Sequence, residues 1–141
     1  HLAEDTTSDQ QVRTVVDGEA TAVFQGGIKV AKDSQRIEGD QLSRALMLSD
    51  RAQAFTKPEL EIYADDVKCS HGATVGDLDA EALFYMRARG IDDAAARALL
   101  ILAFAREPIE ALDLPEQVQT MLDGKIQEWL GVSGRFEELE L

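Results

Sequence analysis

Cysteine is almost missing from this 141-residue chain: Cys69 stands alone, so no disulfide can close within it. That fits a reducing compartment, and a cytoplasmic location is expected. Basic residues are also scarce, with 14 Lys and Arg against 27 Asp and Glu and a formal net charge of −13. Such a surface repels phosphate backbones and anionic lipid, which argues against generic binding to nucleic acid or to a membrane. A cationic partner surface suits it better. No apolar run approaches the ~20 residues that cross a bilayer. The opening His1-Leu2-Ala3-Glu4-Asp5 lacks the basic-then-apolar order of a secretory signal. It also lacks an initiating Met and reads as the middle of a domain, so an upstream portion is expected to precede it. The glycine-rich phosphate loop ending in Gly-Lys-Ser or Gly-Lys-Thr is absent, and any nucleotide chemistry is expected to belong to a partner.

What is present is the composition of an ordinary folded chain, 45% hydrophobic and 29% charged. Its period changes near residue 78. Before that point, apolar runs are broken at close intervals by Gly, Asp, Ser and Pro. The runs are Gln11 to Val16, Thr21 to Phe24, Ile28 to Val30, Ala45 to Leu48, Leu60 to Tyr63 and Val67 to Val75. Asp17-Gly18-Glu19 and Gly26-Gly27 read as the turns between them. Their β-branched and aromatic residues favour short strands, because helices of ordinary length have no room between most of the breaks. Short strands in series fit a sandwich, a barrel or a β-helix. The rungs show only loose similarity to one another and no hexapeptide repeat, so pattern alone leaves these three open.

After residue 78 the spacing turns helical. Asp79 precedes Glu81 to Arg89, and Gly90 is a good terminator. Asp92 or Asp93 is expected to cap Ala94 to Ala105, and Glu107-Pro108 to break or kink that helix. A third helix is expected from Pro115-Glu116, with Pro115 in its first position. Val118, Met121, Leu122, Ile126, Trp129 and Leu130 form its apolar stripe. The organisation predicted is a β unit over 1–78, a helical domain over 79–132 and a frayed tail over 133–141.

Three groups of side chains are candidates for chemistry. Cys69 and His71 sit two apart on a strand, so both point to one face, about 6–7 Å apart, together with Val67, Ala73 and Val75. A thiolate and an imidazole so placed can address one metal centre. An apolar face also means core, free cysteine is usually buried, and two donors cannot complete a four-coordinate site; on pattern alone the core reading leads. Asp65-Asp66, with Glu59 and Glu61, lacks the regular oxygen spacing and tight glycine turn of a calcium loop and reads as a solvated turn. Phe84, Tyr85, Arg87 and Arg89 put aromatics and cations on an otherwise acidic chain. They are either a partner-docking helix face or a packed set, with Leu83, Phe84 and Met86 turned inward. His1, at the end of the chain, is not expected to be a ligand.

The segment from Thr56 to Gly76, with Lys57-Pro58-Glu59-Leu60-Glu61, Asp65-Asp66-Val67-Lys68 and Cys69-Ser70-His71-Gly72-Ala73-Thr74 in it, resembles the SufB/SufD family of iron–sulfur cluster assembly proteins. The likeness continues through Leu78 to Ile91. Upstream it includes Thr6 to Gln10, Ala22 to Gly26 and Leu46 to Asp50, so that it covers roughly residues 2–105. The Cys-Ser-His-Gly-Ala-Thr version is similar to SufD more than to SufB, and most like the C-terminal part of SufD. The resemblance implies mixed β and α structure: the end of a right-handed parallel β-helix followed by a small C-terminal helical domain. It implies a non-enzymatic scaffold that pairs with a SufB-like subunit and docks a SufC-like ATPase through its helical domain. No cofactor is expected on the fragment alone; a transient iron–sulfur cluster is expected to be shared with SufB in the full complex. A shared site removes the objection from ligand count and makes His71, with Cys69 behind it, the expected metal ligand. Phe84, Tyr85, Arg87 and Arg89 become the expected partner-binding residues. A homodimer of the fragment is expected to imitate the natural pairing. The alternatives are a structural β-helix oligomerisation module, or an enzyme using His71 as general base, for which the sequence shows no companion group.

Overall fold

Gln41 and Ser43 are buried as fully as most of the apolar core, and the architecture explains why. In the computed structural model, which describes residues 1–131, strands come first and helices follow. The strands are β1 (Thr7–Val16), β2 (Thr21–Val30), β3 (Ile37–Met47), β4 (Gln53–Ile62) and β5 (Val67–Asp77). The helices are α1 (Ala80–Arg87), α2 (Asp93–Glu110) and α3 (Glu116–Trp129). The chain divides into two compact units, His1–Asp77 and a second that begins at Leu78. The expected frayed tail at 133–141 lies outside the described residues.

Within the strand unit all pairings are parallel, and successive strands go alternately to two sheets, β1-β3-β5 and β2-β4. Partners in β1 and β3 lie 31 residues apart, and those in β3 and β5 lie 30 apart. A parallel pair needs a crossover to bring the chain back to the same end. Here a strand of the other sheet supplies it.

The inward row of β3 is Ile37, Gly39, Gln41, Ser43 and Ala45, all buried, while Glu38 and Asp40 between them are exposed. A row that mixes small and polar residues with Ile37 carries no hydrophobic alternation, and the apolar runs therefore underestimate the strands. They are ten or eleven residues long, not short. Gly26-Gly27 is not a turn: β2 runs straight through it. Gly26 faces inward, where an added Cβ would lie 2.5 Å from Phe24 Cζ and 2.8 Å from Gln41 Nε2. Crowding in the interior, not a reversal of the chain, calls for glycine there. The apolar core gathers Ile28, Val30, Ile37 and Ala64, with Leu60, Val67 and Cys69 packed against it.

Asp65 and Asp66 lie exposed in the connection from β4 to β5. The Asp66 carbonyl accepts the Arg36 amide at 2.7 Å, and its own N–H donates to Gln35 Oε1 at 2.8 Å. Arg36, in the left-handed region at φ 58°, is held by a paired contact to Asp5 at 2.6 and 2.8 Å and by Glu4 at 2.7 Å. That hydrogen bonding keeps the Asp5 carboxyl below the usual carboxylate range.

In the second unit, the Asp79 carboxylate accepts from the Glu81 and Ala82 amides and opens α1. Asp92 caps α2 by accepting from Ala95 N at 3.0 Å. Gly90, at φ 91°, carries the chain between these helices. The expected break at Pro108 does not occur, and α2 continues to Glu110. Pro108 falls in the last turn, where it forfeits its own bond to the carbonyl four residues back but only two residues of helix follow it. Pro115 sits just before α3, not inside it. The expected stripe of α3 divides: Val118, Leu122, Ile126 and Leu130 are half-buried, whereas Met121 and Trp129 are exposed. Among the described residues no helix is long and apolar enough to cross a membrane.

Candidate functional site

Among the described residues β5 pairs with β3 alone and so forms an edge of its sheet. Its inward positions Val67, Cys69, His71, Ala73 and Val75 stand in register with Ile37, Gly39, Gln41, Ser43 and Ala45. Along this row the cover runs out. Val67 and Cys69 are half-buried against the core, whereas His71, Ala73 and Val75 are exposed. The cause is the missing opposite strand: the second sheet contains β2 and β4, and none of the described residues adds a strand to face the far half of β5.

The two expected ligands therefore sit in different surroundings. The Cys69 sulfur lies over the Gly39 backbone, 3.3 Å from where a Cβ would stand there, and packs against the core. His71 presents its imidazole at the open end. Its outward neighbours are engaged with one another: the Ser70 hydroxyl donates to the Asp40 carboxylate, and Lys68 Nζ meets Glu38 at 3.0 Å. Both ring nitrogens of His1 are within hydrogen-bonding distance of hydroxyls, Nδ1 of Thr6 Oγ1 at 2.6 Å and Nε2 of Ser8 Oγ at 2.8 Å. Among the described residues no group of three or more His, Cys, Asp and Glu side chains is arranged to hold a metal ion. A metal at His71 needs ligands from elsewhere to reach four.

The groove at His71 is lined by Asp9, Gln11, Asp40 and Gln41, among others, whereas apolar surface adjoins Ala73 and Val75. A cleft of about 520 Å³ is lined by Val23, Phe24, Phe55, Ala73 and Val75, among others. Val23 and Phe55 are cross-strand partners whose side chains are largely exposed. An exposed patch of large apolar side chains marks an interaction surface more often than a scatter of single residues does.

On α1, Phe84 is 72% exposed and Tyr85 59%. Phe84 does not pack inward; Leu83 and Met86 are half-buried in its place. The Arg89 guanidinium stacks on the Tyr85 ring, 3.4 Å from its centroid. Such stacking holds both groups in one orientation on the surface. Arg87 pairs with Asp93 at 3.3 Å. The hydrogen bond from Arg97 at 2.7 Å, with added attraction from Arg87, holds the Asp93 carboxyl below its ordinary range.

A family model described as SUF system FeS cluster assembly, SufBD core domain, matches residues 1–104. The chain belongs to this family. It is 49% identical over 105 residues to the iron–sulfur cluster assembly protein SufD of Escherichia coli (strain K12), covering 74% of this chain and 25% of that protein. An iron–sulfur cluster assembly SufBD family protein of Synechocystis is 48% identical over 107 residues, 76% of this chain and 24% of its own length. The Bacillus subtilis SufD is 31% identical over 116 residues, 80% of this chain and 26% of its own. The chain thus spans about a quarter of the length of these curated relatives. It is a SufD-like member of the SufBD family. The matched region includes the whole strand unit, α1 and most of α2, and with them Cys69, His71 and the Phe84-Tyr85 pair.

Reading the sequence for ligands passed over Gln41. Its significance comes from the column Gln10, Gln41, His71, three residues in one register across β1, β3 and β5. The signal that reveals it is the spacing of 31 and then 30 residues, which loops of unlike composition hide.

Proposed function

We propose that this SufBD chain is the end of a right-handed parallel β-helix with its helical domain, and that it works as a non-enzymatic scaffold in iron–sulfur cluster assembly. The open end at β5 pairs with a SufB-like subunit, and the α1 face docks a SufC-like ATPase. The nascent cluster is the cargo. His71 supplies one ligand to it, and the SufB-like side supplies the others. Thiolates are the usual cluster ligands, and histidine replaces them in some centres. The observation that carries this reading is the placement of His71: inward by register, yet exposed because no strand among the described residues faces it. Cys69, with its sulfur against the core, has the lesser part, and its packing explains why a cysteine occupies that position.

Where no SufB-like subunit is present, a second copy of the chain is the natural occupant of the same face. Its apolar surface at Val23, Phe55 and Val75 and the bare edge of β5 favour it. Light scattering is expected to give the mass of two copies in dilute solution; a monomer at every concentration would contradict this.

The docking half of the reading is tested by capture on an immobilised SufC-type ATPase. The double variant Phe84→Ala, Tyr85→Ala is expected to reduce capture about tenfold or more, the order that loss of exposed aromatic anchors produces. Capture by a SufB-type protein should be unchanged. Undiminished capture by the ATPase would remove α1 from the interface.

A further inference from the structure

The column Gln10, Gln41, His71 contains an unfinished hydrogen-bond chain. Gln41 is 2% exposed. It donates through Nε2 to Gln10 Oε1 at 2.7 Å, while its own Oε1 is buried without a partner among the described residues. Buried acceptors are rarely left unmade in folded proteins, because their desolvation is then uncompensated. On one side of Gln41 the neighbouring strand presents Gln10. On the other it presents His71, in direct register. Adjacent strands stand about 4.8 Å apart, so an imidazole on β5 lies within a side-chain rotation of a carbonyl oxygen on β3. In the adjacent registers β5 brings only the weakly donating thiol of Cys69 and the methyl of Ala73. Gly39 faces Cys69 and brings no side chain of its own. Ser43, whose Oγ is also buried without a partner among the described residues, faces Ala73, which has nothing to donate. His71 is the residue on the inward row of β5 with an N–H suited to this acceptor.

We propose that Gln41 is the positioning residue of His71, its Oε1 accepting the N–H of one imidazole nitrogen and thereby fixing the tautomer. A neutral imidazole has one donor and one acceptor nitrogen, and the hydrogen bond made by the first decides which nitrogen is left to bind a metal. With one nitrogen turned inward to Gln41, the other faces the open end of the stack with its lone pair free. Gln10 sets the orientation of Gln41 in turn, because taking up Nε2 frees Oε1 for β5. This inference rests on the reading of His71 as a cluster ligand for its purpose, but its test does not depend on that reading.

The test is the tautomer of His71 in the chain labelled with ¹⁵N-histidine, read from two-bond nitrogen–proton correlations at a pH where the imidazoles are neutral. The His71 signals are identified by their loss in His71→Gln. One tautomer is expected to dominate about tenfold, the bias that one buried hydrogen bond gives. Gln41→Met, similar in length but without the acceptor, should relax His71 to the mixture of a free imidazole. Gln41→Glu, which keeps an acceptor oxygen, should retain the bias. A free-imidazole mixture in the unsubstituted chain overturns the proposal, and that measurement stands even where Gln41→Met fails to fold. A bias that survives Gln41→Met, or that Gln41→Glu also loses, overturns it too. A fixed tautomer combined with unimpaired cluster assembly by His71→Ala would leave the positioning intact and remove the ligand role. Impaired assembly combined with a free tautomer would do the reverse.

Discussion

Replacing Ile37 by Ala is expected to destabilise the strand unit by about 2–5 kcal/mol, measured as a fall in the urea midpoint of its far-ultraviolet signal. Ile37 is 0% exposed and sits in the core with Ile28, Val30 and Ala64. It opens β3 in register with Val67 of β5, and the pairing with β1 begins at the next residue, Glu38, so the backbone around it is held. Removing its side-chain carbons loses their burial, and two stacked ladders limit how far the site can collapse into the cavity. The loss is a large fraction of the 5–15 kcal/mol that holds a typical domain. Val23→Ala is the matching control: at 75% exposure its own stability effect should stay within about 0.5 kcal/mol. A loss below about 1 kcal/mol at Ile37 would mean that this cluster is not the core.

Replacing His71 by Ala should have the opposite profile, with a smaller effect on folding and a large one on function. The side chain is exposed, so the stability lost should not exceed about 1–3 kcal/mol, the cost of leaving the Gln41 acceptor without its donor. In the complete complex, cluster formation should fall by about 10–100-fold or more, since even the partners of a metal-bound histidine cost that much when removed. Cys69→Ala divides differently. Its sulfur packs against the core over Gly39, so its larger effect should be on stability. These contrasting outcomes follow from two residues two apart on one strand, one under the cover of the core and one beyond its end.

Much of the plan was legible from the residues, and the parts that were not have a common cause. The switch from strands to helices follows from the change of period near residue 78 and from capping carboxylates such as Asp79 and Asp92, whose roles are local. Local signals survive without an alignment. The strand lengths did not, because β3 buries Gly39, Gln41 and Ser43 where a hydrophobic pattern expects valine or leucine. Gly26-Gly27 misled for a related reason. Glycine marks a turn when the backbone needs a positive φ, but at Gly26 it marks a place where Phe24 and Gln41 leave no room for a Cβ. Part of that crowding comes from Gln41, on another strand. Pro108 shows the limit of a breaker signal, since a proline in the final turn of α2 does not end the helix before Glu110. At the site, the strand period placed Cys69 and His71 on one face, and their unlike exposure depends on which strands face β5, a property of the stack and not of the segment. Gln41 was invisible until the register joined it to His71.

The central claim is that His71 lends a nitrogen to a cluster whose other ligands belong to a partner. The most direct measurement is hyperfine spectroscopy of the reduced cluster in the complex with a SufB-type protein and a SufC-type ATPase, with ¹⁵N-histidine in this chain alone. The account predicts a ¹⁵N coupling of the size of a directly bound imidazole, present in the unsubstituted chain and lost in His71→Ala. A fully loaded, paramagnetic cluster without that coupling would contradict it.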